Sequence, residues 1–254
     1  MRTLRFSWLV ALPLLWCYDA PKIALRAVAP PEEGLVAHFS FNQCDARDVL
    51  GSASFGEFRG PVRCWCGIDG DGLLLDGETA HVIFEGPVNR YFNTSDFTIS
   101  FYFKPEARSA FPLSILSKRA RCDEYQMLDL MLDFNRPELT TYFHESPNKY
   151  FLGLSPEVKP AGWQHFALVR EGLYAYAYIN GERVRESFRC SGVDIGNEAP
   201  LSIANSPCVQ TGRARRFRGL FDELRVYDRA LGPEEVKALY ERYPIENPMM
   251  DCVL

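Results

Sequence analysis

From residue 34 onward the chain alternates apolar and polar positions with a period of two. GLVAHFSFN (34–42) sets Leu35, Ala37, Phe39 and Phe41 against Val36, His38 and Ser40. DFTISFYFKP sets Phe97, Ile99, Phe101 and Phe103 against Thr98, Ser100 and Tyr102. YQMLDLMLDF sets Leu128, Leu130 and Leu132 against Met127, Asp129, Met131 and Asp133, and ELTTYFH, WQHFALVR and YAYAYING continue the pattern. Successive strand side chains point to opposite faces, so this periodicity predicts half-buried antiparallel strands. Glu171-Gly172 and Asn180-Gly181 divide WQHFALVREGLYAYAYINGERVRESF into consecutive hairpins, the second closed by a tight type I′ turn. In FRGLFDELRVYDRAL (217–231), plain alternation puts Leu220, Asp222, Leu224 and Val226 on one face, which sets a carboxylate among three aliphatics. A carboxylate facing a core is costly without a partner. One helix stands out, LGPEEVKALYERY, with Gly232 near the cap, Pro233 in the first turn, and Glu234 and Glu235 at the positive end of the helix dipole. Many strands, frequent turns and one late helix predict an all-β sandwich.

Composition agrees with a single sizeable core: 47% of the 254 residues are hydrophobic and 13% aromatic. The net charge of −5 argues against a nucleic-acid partner, and the one basic cluster (Arg213, Arg215, Arg216, Arg218) reads as a solvated loop. The N-terminus carries MRTLR and then FSWLVALPLLWCY (6–18), the charged and apolar regions of a signal peptide, too short to span a bilayer comfortably. Residues 1–20 are therefore expected to be a signal peptide and 21–33 a linker rich in Ala and Pro. The expected location is secreted and extracellular. The alternative is a lipid anchor through Cys17, although Trp16 stands where that signal wants a small residue. Beyond Cys17 lie Cys44, Cys64, Cys66, Cys122, Cys190, Cys208 and Cys252. A single C-x-C (Cys64, Cys66) is weak for zinc, and disulfides in an oxidising compartment account for the cysteines better.

Taken in order, GLVAHFSFN, Asp48 with Gly51, GLLLDG, DFTISFYFKP, GWQHFALVREG, YINGERV, LSIANSP and FRGLFDELRVYDRALGPEEVKALY resemble the laminin-G-like, concanavalin A-like jelly-roll domains of secreted proteins. The match runs from about residue 34 to 243, with 244–254 left as a tail. It implies an all-β, concanavalin A-like (LamG-like) jelly-roll sandwich of two antiparallel sheets with one short C-terminal helix. It also implies two disulfides, Cys122 with Cys208 and Cys44 with Cys64, and leaves Cys66, Cys190 and Cys252 unassigned. A structural calcium ion is implied too, held between the Asp48–Gly51 loop and Asp222 of the closing strand. Calcium takes about 6–8 oxygen ligands, and glycine lets carbonyls turn inward. This chain departs from the family loop at Ser52, Ala53 and Ser54, and the competing reading is Asp222 accepting backbone N–H bonds.

No catalytic constellation is visible, so the chain is not expected to be an enzyme. Asp129 and Asp133 lie roughly 13 Å apart along an ideal strand, too far for a retaining glycosidase pair, with Met131 where a middle acid would stand. They read as a solvated strand face. The four histidines, His38, His81, His144 and His165, show no ligand spacing. Tyr174, Tyr176 and Tyr178 share a strand face opposite Ile179, so they are expected to point outward where they can stack on sugar rings, joined by Tyr102 and Tyr142. The bland alternative is burial of these rings. The expectation is an exported binding or adhesion module recognising extracellular carbohydrate (glycans) or a cell-surface protein. The alternatives are a glycan-degrading hydrolase of the same fold and a structural component of an envelope or matrix.

Overall fold

The computed structural model describes residues 30–106, 109–159, 162–243 and 245. The expected signal peptide, most of the linker, nearly all of the tail, Cys17 and Cys252 lie outside them. Sixteen strands follow in chain order: β1 (Leu35–Phe39), β2 (Phe55–Arg59), β3 (Arg63–Cys66), β4 (Asp71–Asp76), β5 (His81–Glu85), β6 (Phe97–Pro105), β7 (Leu113–Lys118) and β8 (Met127–Asp133), then β9 (Glu138–Ser146), β10 (Lys149–Phe151), β11 (Gln164–Glu171), β12 (Tyr174–Ile179), β13 (Glu182–Phe188), β14 (Ser202–Ile203), β15 (Arg215–Arg216) and β16 (Arg218–Tyr227). They form two eight-stranded sheets. The first runs β13-β12-β11-β6-β16-β4-β3, with β1 also on β16. The second runs β10-β9-β8-β7-β14-β5-β2, with β15 parallel to β7. The expected jelly-roll sandwich is present, and the core fills the space between the sheets with the alternating residues that the pattern marked. Phe97, Ile99, Phe101 and Phe103 meet Leu128, Leu130 and Leu132 there. Asn180 and Gly181 both have positive φ (51° and 78°), the type I′ geometry expected of the β12–β13 hairpin.

Two helices accompany the sheets. The expected one, α2 (Pro233–Glu241), is capped by the Glu235 carboxylate, which accepts the Gly232 N–H at 2.9 Å. The other, α1 (Pro207–Gln210), is a single turn that the alternation does not reveal. Ser206 caps it by accepting the Cys208 N–H, and Pro207 stands at its first position.

The middle of the first sheet is buried on both faces, which corrects the simple inside–outside reading. Val236 and Leu239 of α2, with Leu231, pack against Ala167, Val169, Tyr178 and Tyr227. Ile68, Trp163, Leu220 and Tyr243 enclose Tyr102 beside them. The Tyr102 hydroxyl donates to the carbonyls of Leu239 and Tyr240 at 2.8 and 3.0 Å, tying the last helical turn to the sheet. Beneath the helix, His165 lies fully buried with Nε2 2.7 Å from Ser100 Oγ and its ring against Tyr102 and Tyr240. Burial, and then the nearby Arg225, push its pKa down to about 3.

A second correction concerns β16. Its register against β6 shifts between Asp222 and Arg225, where Glu223 has φ of +55°. This bulge carries one extra residue and reverses the alternation. Phe221, Leu224 and Val226 therefore face the core, while Leu220 and Asp222 face the helix side. The carboxylate does not share a face with Leu224 and Val226.

Candidate functional site

Asp222 is completely buried, yet its oxygens are well supplied. Oδ2 accepts the N–H groups of Ile68 (2.7 Å) and Asp69 (3.3 Å), and Oδ1 accepts that of Glu223 (2.8 Å). Burial and the adjacent Glu223 raise its pKa well above the ordinary carboxylate range, against those three bonds. Asp222 thus fastens the 67–69 turn to β16. Gly67 has to be glycine here, because a Cβ would stand 2.3 Å from Asp222 Oδ2. Asp48 makes a separate set of contacts: its Oδ1 accepts His38 and Leu50 N–H groups, organising the turn that ends at the exposed Gly51. Beside it, His38 Nε2 lies 2.9 Å from Glu223 Oε2, and Glu223 also pairs with buried Arg225. Asp48 and Asp222 make separate sets of contacts, and Asp48 Oδ2 is buried without a hydrogen-bond partner. Asp222 is occupied by main-chain donors, Gly51 faces solvent, and no group of three or more metal-ligating side chains occurs among the described residues.

The five tyrosines marked by the sequence divide among three environments. Tyr102 and Tyr178 sit beneath α2 and are 0% and 1% exposed, so they cannot meet a ligand. The register that points Tyr178 away from the core is as expected, but the helix covers that half of the face. Tyr174 and Tyr176 lie beyond the helix on the rim of the same sheet, with parallel rings 6.1 Å apart. Phe188 lies 4.9 Å from Tyr174, and Arg183 rests over Tyr176. Tyr142 is on the other sheet.

There, the outer face of β8, β9 and β10 forms a polar and aromatic slot. Tyr142 stands opposite Asp129, and His144 stands between Met127 and Tyr150. The rings of His144 and Tyr150 stack at 4.5 Å and 17°, with Tyr142 5.9 Å from His144. They line a cavity of about 260 Å³ together with Glu124, Thr140 and Ser155. His144 Nδ1, buried on this lining, has no hydrogen-bond partner. Burial, with help from Arg119 and against Glu124, lowers the His144 pKa and keeps the ring neutral near pH 7.

The neighbouring acid is not a solvated strand residue. Asp129 is wholly buried, with Oδ2 2.6 Å from Arg119 Nη1, and burial pushes its carboxyl up to about 6 in spite of that guanidinium. Arg119 also donates to the carbonyls of Arg121 and Asp123. The Cys122–Cys208 disulfide binds this segment to α1, so a loop and a helical turn roof the strand face that alternation leaves open. The basic cluster is likewise anchored: Arg216 donates to Ala204 O and Asn205 Oδ1, and Arg213 to Cys122 O. Cys44–Cys64 is the second expected disulfide. Cys66 is also disulfide-bonded, and Cys190 is a free, exposed thiol. Such bridges are characteristic of an oxidising compartment. Among the described residues no helix is long and apolar enough to cross a membrane.

A sandwich of two antiparallel sheets in this order is the architecture of the concanavalin A-like proteins. The sequence profile of the concanavalin A-like lectin/glucanases superfamily (Laminin_G_3) matches residues 76–237, and the chain belongs to that superfamily. No curated protein matches it. Among solved structures it is similar to domain 4 of AbnA, a GH43 extracellular arabinanase from Geobacillus stearothermophilus, solved in complex with arabinotriose. That match has 20% identity and a TM-score of 0.62, and covers 83% of this chain and 100% of that one. The binding domain of Paraclostridial Mosquitocidal Protein 1 (18%, TM-score 0.63) and that of botulinum neurotoxin DC in complex with rat synaptotagmin II (12%, TM-score 0.65) are similar over 82% and 84% of this chain. Each match covers 52% of the toxin chain. At these identities the likeness is one of fold.

Proposed function

We propose that the protein is an exported binding module and that the slot on β8–β10 takes extracellular carbohydrate without hydrolysing it. The slot itself carries the proposal: stacked aromatic rings beside hydroxyls and an unpaired buried imidazole nitrogen, in a cavity that opens to solvent. Rings of this kind offer apolar faces to sugar C–H groups while hydroxyls and a neutral imidazole exchange hydrogen bonds. The arabinotriose complex of one structural neighbour makes arabino-oligosaccharides the first probes. Calorimetry or a glycan array with the full chain should show binding that drops at least about tenfold, or about 1.4 kcal/mol, in Tyr142→Ala and Tyr150→Ala. Undiminished binding by both folded variants would sink the proposal, as would release of reducing sugar by the wild type. A protein partner has a separate surface to meet, the rim formed by Tyr174, Tyr176, Phe188 and Arg183, whose exposed aromatics and cation suit a protein hot spot. Loss of cell-surface binding in Tyr176→Ala, with saccharide binding intact, would support that second reading.

A further inference from the structure

Four arginines mark the place where the chain crosses from the second sheet to the first, between β15 and β16. Between Glu198 and Asp222 the sequence has no acidic residue, yet Arg213, Arg215, Arg216 and Arg218 crowd into it, in a chain whose net charge is −5. Their printed hydrogen bonds go to uncharged oxygens: Arg213 to Cys122 O, Arg215 to Ala214 O, and Arg216 to Ala204 O, Asn205 Oδ1 and Glu78 O. The nearest acids do not neutralise them. Asp76, opposite Arg218 on β4, accepts the N–H groups of Glu78, Thr79 and Ala80. Exposed Glu78 and Glu106 approach through their backbone, the Glu106 N–H donating to Arg218 O. Arg216 is half-buried and structural, whereas Arg213, Arg215 and Arg218 are exposed. The Arg215 guanidinium lies 4.5 Å over the ring of Phe111, and Arg213 rests on the Cys122–Cys208 bridge, so both heads are partly ordered before any ligand arrives. A stacked guanidinium keeps its N–H edge free, and that planar fork matches a carboxylate or a sulfate. Along extended backbone Arg215 and Arg218 stand about 10 Å apart, a row suited to repeating anions on a linear polymer. A membrane surface would want apolar side chains to insert, and the Phe111 ring here carries Arg215 on its face.

We infer that Arg213, Arg215 and Arg218 form a second binding site, which takes a linear acidic polysaccharide through its carboxylate or sulfate groups. This site is separate from the β8–β10 slot and stands whether or not the slot holds sugar. The test measures binding of the full chain at low salt to polygalacturonate, which carries carboxylates, and to dextran sulfate, which carries sulfates, with neutral dextran as the control. At least one of the two polyanions should bind where dextran does not, and raising the salt should weaken that binding. The triple variant Arg213→Ala, Arg215→Ala, Arg218→Ala should lose at least about tenfold in affinity. The matching triple lysine variant should keep part of it, because the charge remains while the fork is gone. Arg185→Ala, which removes an exposed cation on the β13 edge, and Tyr150→Ala in the slot should leave the affinity unchanged. Thermal melts of every variant check that it is folded. Binding to neither polyanion, undiminished binding by the triple alanine variant, or an equal loss in Arg185→Ala or Tyr150→Ala overturns the inference. So does tighter binding to phosphatidylglycerol vesicles or single-stranded DNA than to both polysaccharides.

Discussion

Protonating His165 should loosen the helix-covered side of the sandwich, at a cost that follows from the ring's surroundings. The imidazole is fully buried. Its Nε2 engages Ser100, its Nδ1 has no partner, and it faces Tyr102, Tyr240 and the positive Arg225. Its pKa falls from 6.5 to about 3 on folding. Because the folded value lies below the unfolded one, the neutral ring's contribution is complete above pH 6.5 and is lost progressively as pH falls towards 3. Each pH unit in that window removes about 1.4 kcal/mol, so lowering the pH from 7.5 to 4.5 should remove roughly 2–3 kcal/mol through this residue. Asp129 and Asp222 act with the opposite sign. Their folded pKa values are raised, so protonation on folding becomes easier to accommodate as pH drops. The raw pH curve of the wild type therefore mixes both trends, and the difference from His165→Asn isolates the histidine. Urea unfolding of both proteins at the two pH values should show the stability gap closing by that 2–3 kcal/mol. A gap that stays constant would mean that the ring is not held neutral under α2.

Three other outcomes follow from contacts described above. Arg119→Ala should destabilise by about 3–5 kcal/mol, because it leaves the Asp129 carboxylate buried without its partner, and pairing it with Asp129→Leu should recover most of the loss in thermal melts. Replacing Cys122 and Cys208 by serine opens a loop of 86 residues and should cost about 4–5 kcal/mol by chain entropy, against about 3 for Cys44 with Cys64 across 20 residues; denaturant titration of the two variants gives the order directly. A chelator such as EDTA should leave the melting temperature unchanged, since main-chain N–H groups already satisfy Asp222, and a fall of several degrees would restore a structural ion at that turn.

Period-two alternation was sufficient to place the core, because each strand contributes one face to it whatever covers the other. Phe97, Ile99, Phe101 and Phe103 are inside as the pattern predicts. Alternation could not report what lies on the opposite face. Thr98, Ser100 and Tyr102 read as solvent-facing but are covered by α2 and its flanks, and Asp129 reads as solvated but is roofed by Arg119. The first cover joins segments 137 residues apart and the second reaches across a loop of ten, and neither is encoded in the local period. The β16 bulge escaped for another reason: Glu223 adopts positive φ without being glycine, so nothing in composition marks the extra residue. Tyr142 was visible as a candidate, whereas His144, Tyr150 and Glu124 were not, because the slot forms only where β9 and β10 bring a hairpin against the disulfide-bound loop. The spacing His144 to Tyr150 across a short turn was the available signal, since such residues can become cross-strand neighbours.

The joining of β1 to β16 has a consequence for how the domain can be displayed. Pro31 accepts a hydrogen bond from Tyr227, Glu33 is held by Arg229, and Tyr243 packs against Tyr102 and Arg225. Entry to and exit from the sandwich therefore lie on the helix-covered sheet, while the slot opens on the opposite one. A tether or neighbouring domain joined at either side would hold the molecule by its back and leave the slot facing outward. A short tether thus presents the slot outward, and a longer flexible one relaxes that orientation.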